Sequence, residues 1–104
     1  DTTCDGSVRI EAGARVSGSV LNGPLVIGRN AEVVDSRLGP YVSVGDDSRV
    51  LSSVIDNSVL LSGVIVDNVD RITNSLIGQE AEVRGPTNTP VRLMLGDHSI
   101  VELG

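Results

Sequence analysis

Aliphatic residues recur along this chain with a period of 17 residues, shortened to 16 at one step in two of three columns. Neighbouring columns are five or six residues apart. The first column is Ile10, Ile27, Val44, Leu60 and Ile77; the second is Val16, Val33, Val50, Val66 and Val83; the third is Leu21, Leu38, Ile55 and Ile72. A fixed period of this kind is typical of repeat proteins, in which each unit packs on the next.

The unit within each period is a hexapeptide. It consists of an aliphatic residue, often a glycine, two variable residues, a small residue and one more variable residue, as in residues 27–32, 44–49, 77–82 and 95–100. Because strand side chains alternate between two faces, the small residue and the aliphatic residue two positions later should both point inward. Gly, Asn and Asp after the aliphatic position suit the positive φ of a tight corner.

Three hexapeptides make one triangular coil, and stacked coils pair their strands in parallel. The pattern predicts an all-β, single-stranded parallel β-helix of about five to six coils, roughly 25–30 Å long. We expect one domain over residues 1–104, with a linker or cap over 1–9, regular coils over 10–83, and a final partial coil over 93–104. Residues 84–92 are polar and hold two prolines, which predicts a loop leaving the prism.

One position does not fit the repeat. Small residues precede the third column by two positions, as Ser19, Ser36 and Ser53 do, but Asp70 stands at the next such place. Either Asp70 is buried or the coil shifts locally.

One outer face of the predicted prism is apolar. The residues directly before the first column should face solvent, and they are Arg9, Val26, Ser43, Val59, Leu76 and Met94. Scattered surface hydrophobic residues are common, whereas a contiguous stripe indicates a packing surface. On the second interpretation Val26, Val59, Leu76 and Met94 are candidate interface residues, and we expect a homo-oligomer. Before the second column, Arg15, Glu32 and Arg49 should form a ladder of alternating charge.

Composition limits the partners. The 104 residues carry eight Arg, no Lys and a net charge of −6, which argues against a nucleic-acid partner. Apolar runs are only a few residues long, whereas a membrane span needs about 20. One cysteine excludes an internal disulfide. No secretory or transit segment opens the chain, so we expect the cytoplasm, and the lysine-free composition suggests a bacterial source.

The residues offer no constellation for catalysis, cofactor binding or metal binding. His98 is the single histidine and stands at a turn position; a three-histidine zinc site is therefore excluded. Cys4 has no histidine near it in sequence and is expected to be an unreactive thiol. Asp5 and the Asp46-Asp47 pair are expected to be turn residues. Glycines 28, 45, 78 and 96 follow the coil period and are expected at corners, not in a phosphate loop.

Four segments resemble a known family: Gly23–Gly28, Asp35–Gly45, Arg71–Gly78 and Arg92–Leu103. They are similar to the C-terminal left-handed β-helix of the long-form glucose-1-phosphate thymidylyltransferases, and the likeness covers nearly the whole chain. GPYVSVG in the second segment and RLMLGD in the fourth are the most specific parts. The family usually has histidine before that last arginine, where this chain has Val91. The left hand of the helix is implied by this resemblance and not by the spacing.

The resemblance implies a parent enzyme that joins a nucleoside triphosphate, usually dTTP, to glucose 1-phosphate with Mg²⁺. The products would be pyrophosphate and dTDP-glucose, a precursor in nucleotide-sugar biosynthesis. That chemistry belongs to an N-terminal α/β domain of the family, which is absent here: the chain has no Gly-rich nucleotide loop, no Arg-Leu-x-Pro run and no lysine.

We therefore expect a structural, oligomerising or regulatory C-terminal domain without catalytic, cofactor or metal residues of its own. Its partners would be its own N-terminal catalytic domain, which would hold the Mg²⁺, and further copies of itself. Two alternatives stay open. One is a stand-alone hexapeptide-repeat protein acting as an acyltransferase, with His98 in a cleft between subunits. The other is a scaffold without a partner domain.

Overall fold

Short parallel strands wind into a solenoid in the computed structural model, which describes residues 2–103. Its principal extents are 30 × 24 × 19 Å. Within these residues there are sixteen strands and no helix, and the strand pairs are parallel. The predicted all-β parallel β-helix, with about six turns, is confirmed.

The strands follow the hexapeptides. In chain order they are β1 (Thr3–Asp5), β2 (Val8–Ile10), β3 (Arg15–Ser17), β4 (Val20–Asn22), β5 (Leu25–Ile27), β6 (Glu32–Val34), β7 (Arg37–Leu38), β8 (Val42–Val44), β9 (Arg49–Leu51), β10 (Val54–Asp56), β11 (Ser58–Leu60), β12 (Ile65–Thr73), β13 (Leu76–Ile77), β14 (Glu82–Val91), β15 (Met94–Leu95) and β16 (Ile100–Glu102).

These strands form three faces. The first face is a six-stranded sheet in the order β15-β13-β11-β8-β5-β2. The other ten strands form one sheet that bends around a corner, because β12 and β14 each contribute to two faces. The second face contains β3, β6, β9, the first halves of β12 and β14, and β16. The third contains β1, β4, β7, β10 and the remaining halves of β12 and β14.

The aliphatic columns stack in register through the prism. Ile27 pairs with Val44, Val33 with Val50, and Leu38 with Ile55, and the other members follow the same alignment. Twelve of the fourteen column residues are at most 1% exposed: Ile27, Val44, Leu60, Ile77, Val33, Val50, Val66, Val83, Leu21, Leu38, Ile55 and Ile72. Burying one such side chain stabilises the fold by about 1.5–3 kcal/mol.

The two exceptions belong to the first coil. Ile10 is 45% exposed and Val16 is half-buried. Their inward direction is as expected, but in the described residues no coil lies beneath them. Ile10, which the period places in a core column, is therefore not part of the buried core of the described residues.

A ladder of buried serines lines the corner between the second and third faces. The Ser19 hydroxyl donates to the Ser17 carbonyl at 2.8 Å and accepts from the Ser36 amide at 3.1 Å. Ser36 and Ser53 repeat this arrangement one and two coils later. Each hydroxyl is thus satisfied although it is buried, as polar groups in a core must be.

The coil shifts locally at Asp70, so the aspartate does not take the buried position of the serines. Val69, which is fully buried, takes the place after Ser53, and its amide donates to the Ser53 hydroxyl at 3.0 Å. Asp70 is exposed. The extra residue before Ile72 is absorbed in β12, so no carboxylate enters the core.

The segment expected to be a loop is a strand. β14 continues through residues 84–91 and pairs with β12 from Ile65↔Glu82 to Ile72↔Val91. Two register shifts absorb its two extra residues. Prolines are tolerated in sheets at bulges and edges, and the second half of β14 is such an edge, because β16 pairs only with its first half.

The chain start also differs from the expected linker or cap. Thr3–Asp5 and Val8–Ile10 are strands of the first coil, paired with β4 and β5. β15 and β16 form the final partial coil. Asp1 and Gly104, included in those two expected segments, lie outside the described residues.

Candidate functional site

The first face carries an apolar row along its outer side. Register pairs Val26 with Ser43, Ser43 with Val59, Val59 with Leu76, and Leu76 with Met94. Val26, Val59 and Leu76 are 40–41% exposed, and Met94 is 77% exposed. We call these five residues the apolar stripe. They stand about 4.8 Å apart, one per coil, and none of them carries a charge.

The second face presents charges instead. Glu32 lies 3.2 Å from the Arg49 guanidinium and 3.9 Å from that of Arg15. Farther along, Arg84 lies 2.8 Å from Glu82 and 3.6 Å from Asp67. Exposed ion pairs of this kind contribute only about 0–1 kcal/mol each. The second face is therefore typical of a surface that remains in water.

His98 lies on an exposed corner. Its Nδ1 is 3.1 Å from Glu80 Oε1, and both side chains are at least 66% exposed. Beside it, Asp97 accepts a hydrogen bond from the Gln79 amide at 2.7 Å, and Asp46 does the same for the Arg29 amide at 2.8 Å. These aspartates hold one corner of the coil against the next.

Cys4 and Asp5 lie in the first strand and are exposed. Cys4 pairs with Leu21, which places it at the open end of the third column. It is a free thiol.

A groove of about 300 Å³ lies at the corner between the second and third faces, where the coil shifts. Asp35, Arg37, Asn68, Asp70 and Thr87 contribute to its polar lining. It is an open surface feature, on the far side of the prism from the apolar stripe.

Mg²⁺ prefers oxygen ligands and commonly binds through one or two carboxylates. Within residues 2–103, no group of three or more His, Cys, Asp or Glu side chains is placed to hold a metal ion. No helix in the same range is long and apolar enough to cross a membrane.

Tyr41 is a surface residue that the spacing did not single out. It is 66% exposed and lies at the corner directly before β8, with a φ of 62°. In the sequence it stands in the GPYVSVG segment, and it is the single aromatic residue of the chain.

Two curated proteins are similar to this chain. A glucose-1-phosphate thymidylyltransferase of Streptomyces antibioticus is 40% identical over 104 residues, covering 98% of this chain and 29% of the relative. One of Streptomyces griseus is 39% identical over 100 residues, covering 94% and 28%. The chain thus spans less than a third of the length of these relatives. No family model matches it.

Solved structures are similar at a lower level. A proposed acetyltransferase of Bacillus cereus has a TM-score of 0.45 at 11% identity, covering 95% of this chain and 76% of that one. A mutant GDP-perosamine N-acetyltransferase of Caulobacter crescentus, solved with CoA and GDP-perosamine, has a TM-score of 0.38 at 20% identity, covering 98% and 54%. Function is better judged from the closer sequence relatives. The chain corresponds to the C-terminal part of these glucose-1-phosphate thymidylyltransferases, and the chain itself is a parallel β-solenoid.

Proposed function

We propose that this chain is the assembly domain of a nucleotidyltransferase that converts dTTP and glucose 1-phosphate to dTDP-glucose and pyrophosphate. Sequence similarity over nearly all of the chain to two thymidylyltransferases supports the parent activity. The reaction, with its Mg²⁺, belongs to an N-terminal catalytic domain, which is this chain's partner within the same protein. A cytoplasmic location is part of the proposal.

The observation that carries an assembly role is the apolar stripe. It runs over five successive coils of one face, with its members held in register by the strand pairing. An exposed strip that is apolar at four of its five positions resembles the apolar patches that mark protein–protein contacts. A solenoid is suited to this role because its coils are fixed to one another and keep such a strip straight.

The uncharged stripe is the part of the surface where two copies of the chain could meet with the least electrostatic repulsion. Each copy carries a net charge of −6, so two copies repel one another at most orientations. None of the stripe residues is charged, so two stripes can meet without bringing acidic side chains together. We therefore assign the stripe to self-association, which would hold catalytic domains in a fixed arrangement.

The proposal is tested by a double substitution in the complete protein. Val59→Asp with Leu76→Asp places two carboxylates in the middle of the stripe, and self-association should fall by at least tenfold because charges are unfavourable in the core of an interface. Sedimentation equilibrium gives the mass in solution. Val20→Asp is the matched control, because Val20 is half-buried on the third face and outside the stripe. An unchanged mass for the double variant would refute the assembly role.

A stand-alone acyltransferase is the alternative function. It would need a histidine base in a cleft between subunits, and His98 is the single candidate. That side chain is 70% exposed and beside Glu80 on a corner. The acetyltransferases of similar fold are distant in sequence, so the thymidylyltransferase relatives favour the first function.

A further inference from the structure

The first coil leaves an apolar end of the prism uncovered. Its inward side chains pair in register with fully buried residues of the second coil, and they are Cys4, Ile10 and Val16. Ile10 is 45% exposed, Cys4 is exposed and Val16 is half-buried. Isoleucine, valine and free cysteine are among the residue types most often buried. The first coil therefore has core residues at positions that nothing in residues 2–103 covers.

The backbone of the same coil has an unpaired edge. β1, β2 and β3 each pair with one strand only, which belongs to the second coil. Within residues 2–103, their opposite edges have no strand partner, and all three edges lie at the same end of the prism. An unpaired edge presents free amides and carbonyls to which a further strand can bind.

The opposite end of the prism is better closed. Leu103 packs against the core, and its amide donates to the Arg84 carbonyl at 2.7 Å. The column residues of the last coil are half-buried, whereas Ile10 and Cys4 are exposed. The terminal repeats of a solenoid need a polar outer side to remain in water. The first coil has the inward residues of an interior coil instead.

We propose that the seventeen residues directly before Asp1 in the complete protein form one further coil, which covers this end. This inference rests on the part of the proposed function that places a longer chain before this one, and not on the apolar stripe. The relatives support a longer chain, because this one corresponds to their C-terminal part and to only 28–29% of their length. The preceding residues join the solenoid next to β1, at the end that lacks a cover.

The coil period fixes where the added coil should be aliphatic. Subtracting 17 from the numbers of Val16, Ile10 and Cys4 gives the second, eighth and fourteenth residues before Asp1. Aliphatic side chains at those positions would continue the three columns, and their strands would pair with β3, β2 and β1. Ile10 would then be buried as Ile27 is, which is 0% exposed. Polar residues at all three positions would overturn the proposal.

The Cys4 thiol can report the cover, because a buried thiol is inert. In the complete protein, iodoacetamide should label Cys4 at least tenfold more slowly than the thiol introduced by Ser17→Cys, as measured by mass spectrometry of the two peptides. Ser17 is the matched control, because it lies in the same coil and is exposed. Replacing the seventeen preceding residues by a glycine–serine segment of equal length should make the two rates equal.

Two results would overturn the added coil. Equal labelling of Cys4 and of Ser17→Cys in the complete protein would show that this end is open to water. Slow labelling of Cys4 that persists after the replacement would show that another part of the protein covers the end.

A third thiol shows whether the replaced protein keeps its fold. Val50→Cys, at a fully buried position, should remain unlabelled there. If it is labelled, the interior has opened, and the residue types at the three predicted positions decide the matter. The mass of Val59→Asp with Leu76→Asp tests the assembly role separately, because that double variant should leave Cys4 protected.

Discussion

Interior and terminal coils of this solenoid have the same hexapeptides but different surroundings. Ile27, between two coils, is fully buried, whereas Ile10, one coil earlier in the same column, is 45% exposed. At the other end Val91, Leu95 and Val101 continue the three columns and are half-buried. The repeat therefore sets the direction of each side chain, and the number of neighbouring coils sets how much of it is buried. Stability should be concentrated in the interior coils.

Substitutions in the first aliphatic column should show the largest difference in unfolding free energy between interior and terminal coils. Ile27→Ala removes a fully buried side chain and should lower the free energy of unfolding by about 2–5 kcal/mol, the usual cost of a cavity in a packed core. Ile10→Ala, in the first coil, should cost less than half as much because the side chain is already half in water. Chemical unfolding of the 104-residue chain measures both. Equal losses would mean that the first coil is covered in solution.

Alanine substitutions at two corner glycines should show a smaller difference in stability. A Cβ at Gly45 would lie 2.5 Å from the Leu61 carbonyl carbon of the next coil, whereas at Gly96 it would meet nothing within 4 Å. Gly45→Ala should therefore destabilise by about 1–3 kcal/mol, as overpacking does. Gly96→Ala should be neutral, and it serves as the control in thermal unfolding. A neutral Gly45→Ala would show that the coils can separate locally without cost.

Alanine substitutions at two arginines that pair with the same glutamate should show the smallest difference in stability. Arg49 lies 3.2 Å from Glu32, and Arg15, in the first coil, lies 3.9 Å from it and is more exposed. Arg49→Ala should cost about 0.5 kcal/mol and Arg15→Ala less, since exposed pairs contribute little. The Arg49 effect should shrink at 1 M salt because of screening. A salt-independent loss at Arg49 would point to packing of its aliphatic stem instead.

The fold was predicted correctly where the sequence repeat is regular and incorrectly where it is not. Periodicity alone identified the columns and showed that their side chains point inward, because side chains alternate between the two faces of a strand and the aliphatic ones share one face. It did not identify β14, whose prolines and polar residues suggest a loop. Pairing with β12 and two register shifts keep that segment in the sheet, and such long-range pairing has no local signature.

The candidate surface was only partly visible in the sequence. The stripe residues Val26, Val59, Leu76 and Met94 were found by position, because each directly precedes a column residue. Tyr41 was not found by position; its positive φ lies at a corner that Pro24 occupies in the preceding coil and Asn57 and Asn74 occupy in the two following coils. Backbone strain of this kind is set by the corner's hydrogen bonds to the coils on either side.

By itself, the sequence determined the class of fold, the inward columns and the outer stripe, because these follow from a 17-residue period and strand alternation. The resemblance added the expectation of a left-handed coil. Only the tertiary structure decided which copies of the repeat are exposed at the ends, how the chain shifts at Val69, and that residues 84–91 stay in the sheet. These features depend on which coils lie above and below a given residue. The repeat pattern specifies the residues within each coil but not the contacts that a coil makes with its neighbours.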